Sequence, residues 1–296
     1  MSNQSSLPAL RQIDDAPRPL ATAVPIVTDA EGNIFPVDPE GKKDCTVLYI
    51  GHLSKQHVNA SYCYTVDERR QMIRDMVYVL VEALERSKIV YWVDSGTLLG
   101  AHRDQDLISF DLDADIGLTQ ASFESLRHTK IDVPDRYELF INDSPIYAPG
   151  PYWYLPGRFV DKMTGLYTDI FEFLPDSRLM PVNTTTVLEV RAGSSASLEK
   201  NGFVMQVDAK ADHNATVFVT LHTVEDKLTD VLAPVASGCW WACKNCPEKQ
   251  HFIVPVDWIF PLQRCTFGEK KVYCPAKIHE YLTMLYGEDY MTPQII

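Results

Sequence analysis

Phe110-Asp111-Leu112-Asp113-Ala114-Asp115-Ile116-Gly117 sets three carboxylates at alternate positions with apolar residues between them. In an extended strand successive side chains leave on opposite faces. The stretch therefore predicts three acidic groups on one face and Leu112, Ala114 and Ile116 on the other. Neighbouring carboxylates would be about 6.6 Å apart. Two charges at that spacing repel by about 2.5 kcal/mol at an effective dielectric of about 20. A hard divalent cation turns the repulsion into attraction. Mg²⁺ commonly takes one or two carboxylates together with substrate phosphates. A solvated acidic strand face is the plainer reading. A calcium-binding EF-hand is excluded, because Ile116 and Ser122 stand where that loop needs Gly and Glu.

The flanking residues favour a built site over a solvated face. Ile89-Val90-Tyr91-Trp92-Val93 is an apolar run that reads as a strand. It leads into Ser95-Gly96-Thr97-Leu98-Leu99-Gly100, which reads as a glycine-punctuated turn, and the carboxylates follow.

At these residues the chain resembles the LicD/fukutin-type phosphotransferases. The resemblance rests on Trp92, Gly96-Thr97-Leu98-Leu99-Gly100, Arg103 and the segment Phe110 to Gly117. It extends to Thr168-Asp169-Ile170-Phe171 and to Tyr286-Gly287-Glu288-Asp289-Tyr290-Met291-Thr292-Pro293. The matches fall in family order from about residue 65 onward. Phe110 stands where the family usually has Trp, and Asp104-Gln105-Asp106 is more acidic than usual. The resemblance implies a nucleotidyltransferase-like fold: an α+β domain with a central sheet flanked by helices. It also implies transfer of a phospho-alcohol, such as phosphocholine or ribitol phosphate, from a CDP-linked donor to a hydroxyl on a glycan, glycolipid or glycoprotein.

On this reading Asp113, Asp115 and Asp169 converge from adjacent strands to hold Mg²⁺ or Mn²⁺ against the donor's phosphates. Asp111 is a further ligand or the base for the acceptor hydroxyl. Gly96 and Gly100 bring backbone N–H groups close to phosphate. Thr97 adds a hydroxyl contact, and Arg103 steadies a phosphate oxygen. Arg103 has an alternative as a surface ion pair with Asp104 or Asp106. His102 and Trp92 read as structural, and Trp153 as packing or as a pocket wall. Two other function classes stay open. One is an Asp-x-Asp glycosyltransferase using a nucleotide-sugar; the other is a non-catalytic binding protein that holds a cation.

The chain has 296 residues, 46% of them hydrophobic, and a formal charge of −13. That is enough for one sizeable core and is ordinary for a globular domain. The negative balance argues against a nucleic-acid partner, whose phosphates need a basic patch. No apolar run reaches the ~18 residues of a membrane span. Met1 to Asp15 lacks the basic-then-apolar pattern of a signal peptide. The expected compartment is therefore the cytoplasm, or the Golgi and secretory lumen if a targeting segment is missing from this chain. Asn59-Ala60-Ser61, Asn183-Thr184-Thr185 and Asn214-Ala215-Thr216 fit the N-glycosylation pattern.

Residues 1–43 are rich in Pro, Asp and small polar types and read as a flexible arm. Residues 44–296 read as the catalytic domain, with a Cys-rich insertion at about 236–275. Thr65-Val66-Asp67-Glu68 is a capping box. It opens a helix to about Ser87 that buries Met72, Ile73, Met76, Leu80 and Leu84. Thr119 caps a short helix. Tyr137–Ile141, Leu166–Phe173, Phe203–Val207 and Thr216–Leu221 read as strands. Tyr147–Arg158 and Arg191–Asn201 read as loops, and Ala276–Leu285 as a last helix stopped by Gly287.

Cys239, Cys243 and Cys246 with His251 have spacing that suits tetrahedral structural Zn²⁺. Some fukutin-type members carry a comparable Cys-rich zinc loop. Disulfides are the competing reading, for instance Cys265 with Cys274 across a hairpin. Cys45 and Cys63 read as buried or paired.

Overall fold

The computed structural model describes residues 27–38, 40–58, 62–150, 152, 155–191, 198–200, 203–205, 216–235 and 252–293. In chain order the elements begin with β1 (Val27–Thr28), β2 (Ile34–Phe35), α1 (Val66–Arg86), β3 (Trp92–Val93), α2 (Ser95–Arg103), β4 (Ala114–Thr119) and α3 (Gln120–His128). They continue with β5 (Tyr137–Ile141), β6 (Gly157–Asp161), β7 (Tyr167–Arg191), β8 (Leu198–Lys200), β9 (Phe203–Met205) and β10 (Thr216–Pro234). The last are β11 (Val254–Pro255), α4 (Val256–Ile259), β12 (Gln263–Phe267), β13 (Lys270–Cys274) and α5 (Ile278–Tyr286). This is a mixed α+β protein with a curled central sheet flanked by helices, as the sequence predicts. No helix among the described residues is long and apolar enough to cross a membrane.

The chain divides into two compact units, residues 1–175 with 232–296, and residues 176–231. In the larger unit the sheet order is β11-β10-β7-β4-β3, with β6 pairing β7 and β5 pairing β6. β3 runs antiparallel to β4, while β4 and β7 are parallel. The smaller unit holds the rest of β7 and β10 together with the β8–β9 hairpin. Part of that hairpin lies in the stretch 191–201, which reads as a loop in the sequence. Leu198–Lys200 pair with Phe203–Met205, so the small polar residues there include a hairpin strand. Within the stretch expected to be an arm, β1 and β2 pair, and Ile34 bridges to Leu48.

Helix α1 begins as predicted. The Thr65 side chain accepts from the Glu68 N–H, and the Glu68 side chain accepts from the Thr65 N–H. Met72, Ile73, Met76, Leu80 and Leu84 are all buried, each contributing roughly 1.5–3 kcal/mol of apolar burial. Thr119 caps α3 through the Ser122 N–H. Gly287, at φ +89°, ends α5 in a conformation that a side chain would resist.

Trp92, on the strand that ends the sheet order, lies fully buried, edge-on to Phe173 and Phe260. Its register partner across the sheet is Gly117. A Cβ on Gly117 would fall inside the indole ring. Gly117→Ala is therefore expected to cost roughly 2–3 kcal/mol through overpacking. Urea denaturation would read this as a lower midpoint at unchanged slope.

Cys45 and Cys63 form a disulfide with Cα atoms 5.1 Å apart. Cys265 and Cys274 form another, diagonally across the β12–β13 hairpin, with Cα atoms 6.0 Å apart. Cys239, Cys243, Cys246 and His251, the expected zinc set, lie outside the described residues, as do Trp153, Asn59 and Asn214.

Candidate active site

The site is built where β3 ends and β4 begins. Asp94 follows β3, and its Oδ1 accepts from the Ser95 N–H at 2.7 Å, capping α2. Ser95 takes φ +46°, a left-handed value that costs about 1 kcal/mol for a residue with a Cβ. The segment read as a glycine turn is thus the helix α2. Asp94 caps it, and Leu98 and Leu99 bury its inner face, which offsets the poor helix propensity of its glycines.

Inside a helix, the two glycines serve close packing. A Cβ on Gly96 would stand 2.8 Å from Asp111 Oδ2, and one on Gly100 would collide with the Asp106 carbonyl. Gly100 lies in the helical interior, where its N–H runs along the axis. Only Gly96 and Thr97, in the first turn, keep N–H groups without a helical partner. Thr97 is fully buried, and its Oγ1 accepts from the Asp115 N–H at 2.8 Å. Its hydroxyl fixes the carboxylate strand from behind, so it does not present itself to a donor as the sequence reading has it.

Asp111 and Asp113 precede β4 and lie in the loop that leads into it; only Asp115 is on the strand. The expected three-carboxylate strand is corrected accordingly. The reason lies in the loop's own hydrogen bonds: the Asp111 N–H donates to the Ile108 carbonyl, and Asp111 Oδ1 accepts from the Leu112 N–H. Asp115 and Asp169 are register partners on the parallel strands β4 and β7. Their side chains thus leave the same face at the same level, on strands about 4.8 Å apart.

Crowding and burial hold these acids protonated more readily than usual. Burial, with Asp113 next, pushes Asp111 up to about 7. Burial pushes Asp169 up to about 7, with the Arg158 guanidinium opposing it. Burial, followed by Asp113 and Asp169, drives Asp115 well above the carboxylate range. Burial pushes Asp94 up to about 6, against the Tyr281 hydroxyl, which donates to its Oδ1 at 2.6 Å, and the Ser95 N–H. Asp94 Oδ2 is buried with no hydrogen-bond partner.

Among the described residues His52 and Arg158 contact the acids directly, and Arg103 does not. His52, at the end of a short 3₁₀ turn, places Nδ1 3.2 Å from Asp113 Oδ2, and that contact leads in raising its pKa. Arg158 on β6 is the cross-strand partner of Asp169. Its Nε and Nη2 donate to the two Asp169 oxygens at 2.6 and 3.1 Å. The guanidinium lies 3.7 Å over the Tyr167 ring. Arg103 instead donates to both oxygens of Asp104, at 2.8 and 2.9 Å, the surface-pair alternative that the sequence left open. Asp106 is taken by Arg70 and Arg74.

Sequence reading missed His52, Asp94, Arg158 and Tyr281, and used Tyr286 only as part of the terminal motif. Burial raises the Tyr286 phenol, and Asp115, Asp94, Asp111 and Asp113 all add to it, while Tyr281 on the same helix reaches Asp94 directly. The only signal for Arg158 was the alternation beginning at Gly157, at the end of a Pro- and Gly-rich stretch. His52 had none.

Among the described residues no three carboxylate, imidazole or thiolate groups are gathered tightly enough to enclose an ion. The acids offer oxygen donors only, the kind of set a hard divalent cation would take, and they are close enough to raise one another's pKa.

Residues 88–191 match the family model described as "LicD/FKTN/FKRP, nucleotidyltransferase domain". That span holds all four candidate acids, Asp111, Asp113, Asp115 and Asp169, and is what this chain shares with the LicD family model. The match points to a phosphotransferase-type function. Two bacterial proteins are similar over short stretches. An uncharacterized protein of Rickettsia typhi is 41% identical over 56 residues, 19% of this chain and 18% of its own. An uncharacterized protein of Rickettsia prowazekii is 57% identical over 37 residues, 12% of this chain and 14% of its own. The chain therefore spans under a fifth of the length of either relative.

Proposed function

We propose that the protein transfers a phospho-alcohol from a CDP-linked donor to a hydroxyl of a glycan or glycoconjugate. The observation that carries this reading is the side-by-side placement of Asp115 and Asp169 within the segment that matches the family. The acceptor oxygen attacks the phosphorus bearing the alcohol, the bond from that phosphorus to the CMP oxygen breaks, and CMP leaves with the electron pair. Asp111 takes the acceptor's proton; a carboxylate titrating at about 7 suits that role near neutrality. Asp113 and Asp115, with Asp169, would hold Mg²⁺ or Mn²⁺, which when bound neutralises the charge on the donor's pyrophosphate. Such an ion takes its remaining ligands from phosphate and water, so a preformed protein cage is not required. Gly96 and Thr97 offer first-turn N–H groups to donor phosphate.

The test is CMP release from CDP-choline and CDP-ribitol, with a crude glycan extract as acceptor, with and without Mn²⁺. Release that depends on the ion is the expected result. Turnover of a UDP-sugar instead would make this a glycosyltransferase. A thermal shift with the metal, but with no nucleotide turned over, would make it a binding protein.

A further inference from the structure

His52 comes to the acids from outside the segment that matches the family, residues 88–191. Its Nδ1 stands 3.2 Å from Asp113 Oδ2. That hydrogen bond acts most strongly on the imidazole, and Asp111 and Asp169 also act on it. The ring therefore faces the cluster as a whole.

Three hydrogen bonds seat the turn that carries it. The Ile50 N–H donates to Asn33 Oδ1 at 3.2 Å, the Tyr167 hydroxyl to the Gly51 carbonyl at 3.2 Å, and the Ser54 N–H to the Gly165 carbonyl at 2.7 Å. Tyr167 lies two residues before Asp169 on β7, and residues two apart in a strand share a face. The strand that presents one acid thus also positions the imidazole. The Cys45–Cys63 disulfide closes the segment around the turn and lowers the entropy lost in fixing it. A half-exposed His–Asp pair adds little to stability, so the pair alone gives no reason for this much anchoring.

The separation suits a different role. Two ligands of one ion, with bonds of about 2.1 Å, stand about 3.0 Å apart in an octahedron and about 3.4 Å apart in a tetrahedron. Nδ1 and Oδ2 already lie within that interval. A ring nitrogen also changes which ion is favoured. Mg²⁺ prefers oxygen, whereas the affinity of nitrogen-containing sites for first-row ions rises from Mn²⁺ towards Zn²⁺.

We propose that His52 Nδ1 is a ligand of the ion held by Asp113, and that it makes the site select a first-row transition ion over Mg²⁺. The imidazole takes one position and Asp113 Oδ2 an adjacent one. Phosphate and water fill what the carboxylates leave. The inference deepens the proposed function: it rests on an ion at the acid cluster, and not on the identity of donor or acceptor.

The test is Mn²⁺ binding to the full chain without nucleotide, since cytosine nitrogens would give a signal of their own. Electron spin-echo modulation detects nitrogen bound directly to Mn²⁺. The wild type is expected to show that signal. His52→Gln, a half-exposed change that leaves the core intact, should lose it. Affinities for Mn²⁺ and Mg²⁺ are measured by competition. His52→Gln should weaken Mn²⁺ roughly tenfold and Mg²⁺ little. His52→Asp, which offers oxygen, should bind both ions with no nitrogen signal and with less preference for Mn²⁺. If His52 only pairs with Asp113, removing it frees that carboxylate, and both ions bind more tightly to His52→Gln. That result, a nitrogen signal that survives the substitution, or none in the wild type would each overturn the proposal. A wild type that takes up no Mn²⁺ overturns it too, together with the metal's part in the proposed function. A nitrogen signal lost with His52, but no CMP release from any CDP-alcohol, would remove the phosphotransfer reading and leave the ligand assignment standing.

Discussion

Asp115→Asn is expected to abolish transfer and, at pH 8 in the absence of divalent ions, to make the protein more stable than the wild type. The activity should fall by roughly 10³-fold, the scale of losing one electrostatic contact at the reacting centre. The gain in stability comes from the same crowding. Asp115 is half-buried beside Asp113, Asp169, Asp111 and Asp94, and its pKa stands well above the ordinary value. An acid with a raised folded-state pKa favours folding fully below its unfolded value near 4. That contribution is lost as pH rises through the folded value. For Asp94 the loss runs from about pH 4 to about 6, and for Asp111 and Asp169 to about 7. For Asp115 it continues higher. Asp94 alone accounts for about 3 kcal/mol, from a shift of roughly two pH units. The wild type should therefore lose stability steadily from pH 4.5 to 8, and Asp115→Asn should lose less. Urea unfolding at pH 5, 7 and 8.5 in chelator checks this. Equal slopes, or a variant with near-normal turnover, would mean that Asp115 is not ionised within a working acid cluster.

Arg158→Met should be the most damaging single change at the site for stability. Both partners of its ion pair with Asp169 are almost wholly inaccessible. Removing one side of a buried pair leaves the other charge uncompensated, at a cost of about 3–5 kcal/mol. The effect must depend on pH. At pH 8 Asp169 is ionised and the full cost applies. At pH 5, below its pKa of about 7, Asp169 takes up a proton and much of the cost disappears. The double variant Arg158→Met with Asp169→Asn should recover most of the loss at pH 8. A cost that is the same at both pH values, or that the second substitution does not rescue, would mean that Arg158 acts through packing on Tyr167 and not through Asp169.

Local rules made much of this molecule readable. The capping box at Thr65, the helical spacing of Met72 to Leu84, the Thr119 cap and the alternation of Tyr137 to Ile141 are set by neighbours in the chain. The folded protein keeps each of them. The acids Asp115 and Asp169 were legible as a pair because each stands in a short run with strand character and a recognisable family pattern. Long-range contacts were not readable. His52 reaches Asp113 across 61 residues, and Tyr281 reaches Asp94 across 187. No local pattern encodes either contact. The mistakes share a cause as well. Glycine implies a turn by conformational freedom, but Gly96 and Gly100 are needed because Asp111 and the Asp106 carbonyl press against a helix. Alternation implies a strand, but the Asp111–Leu112 stretch satisfies its own backbone bonds in a loop.

The parallel pairing of β4 with β7 has a consequence for how such a protein can change. Ala114 opposes Thr168, Asp115 opposes Asp169 and Ile116 opposes Ile170. A slip of either strand by one residue would turn Ile116 or Ile170 outward and carry an acid into the apolar interior. A single-residue insertion ahead of either strand would thus strike foldedness and chemistry together. Variation that survives in this lineage should collect in the connecting segments, where length can drift without moving the two aspartates off a common level.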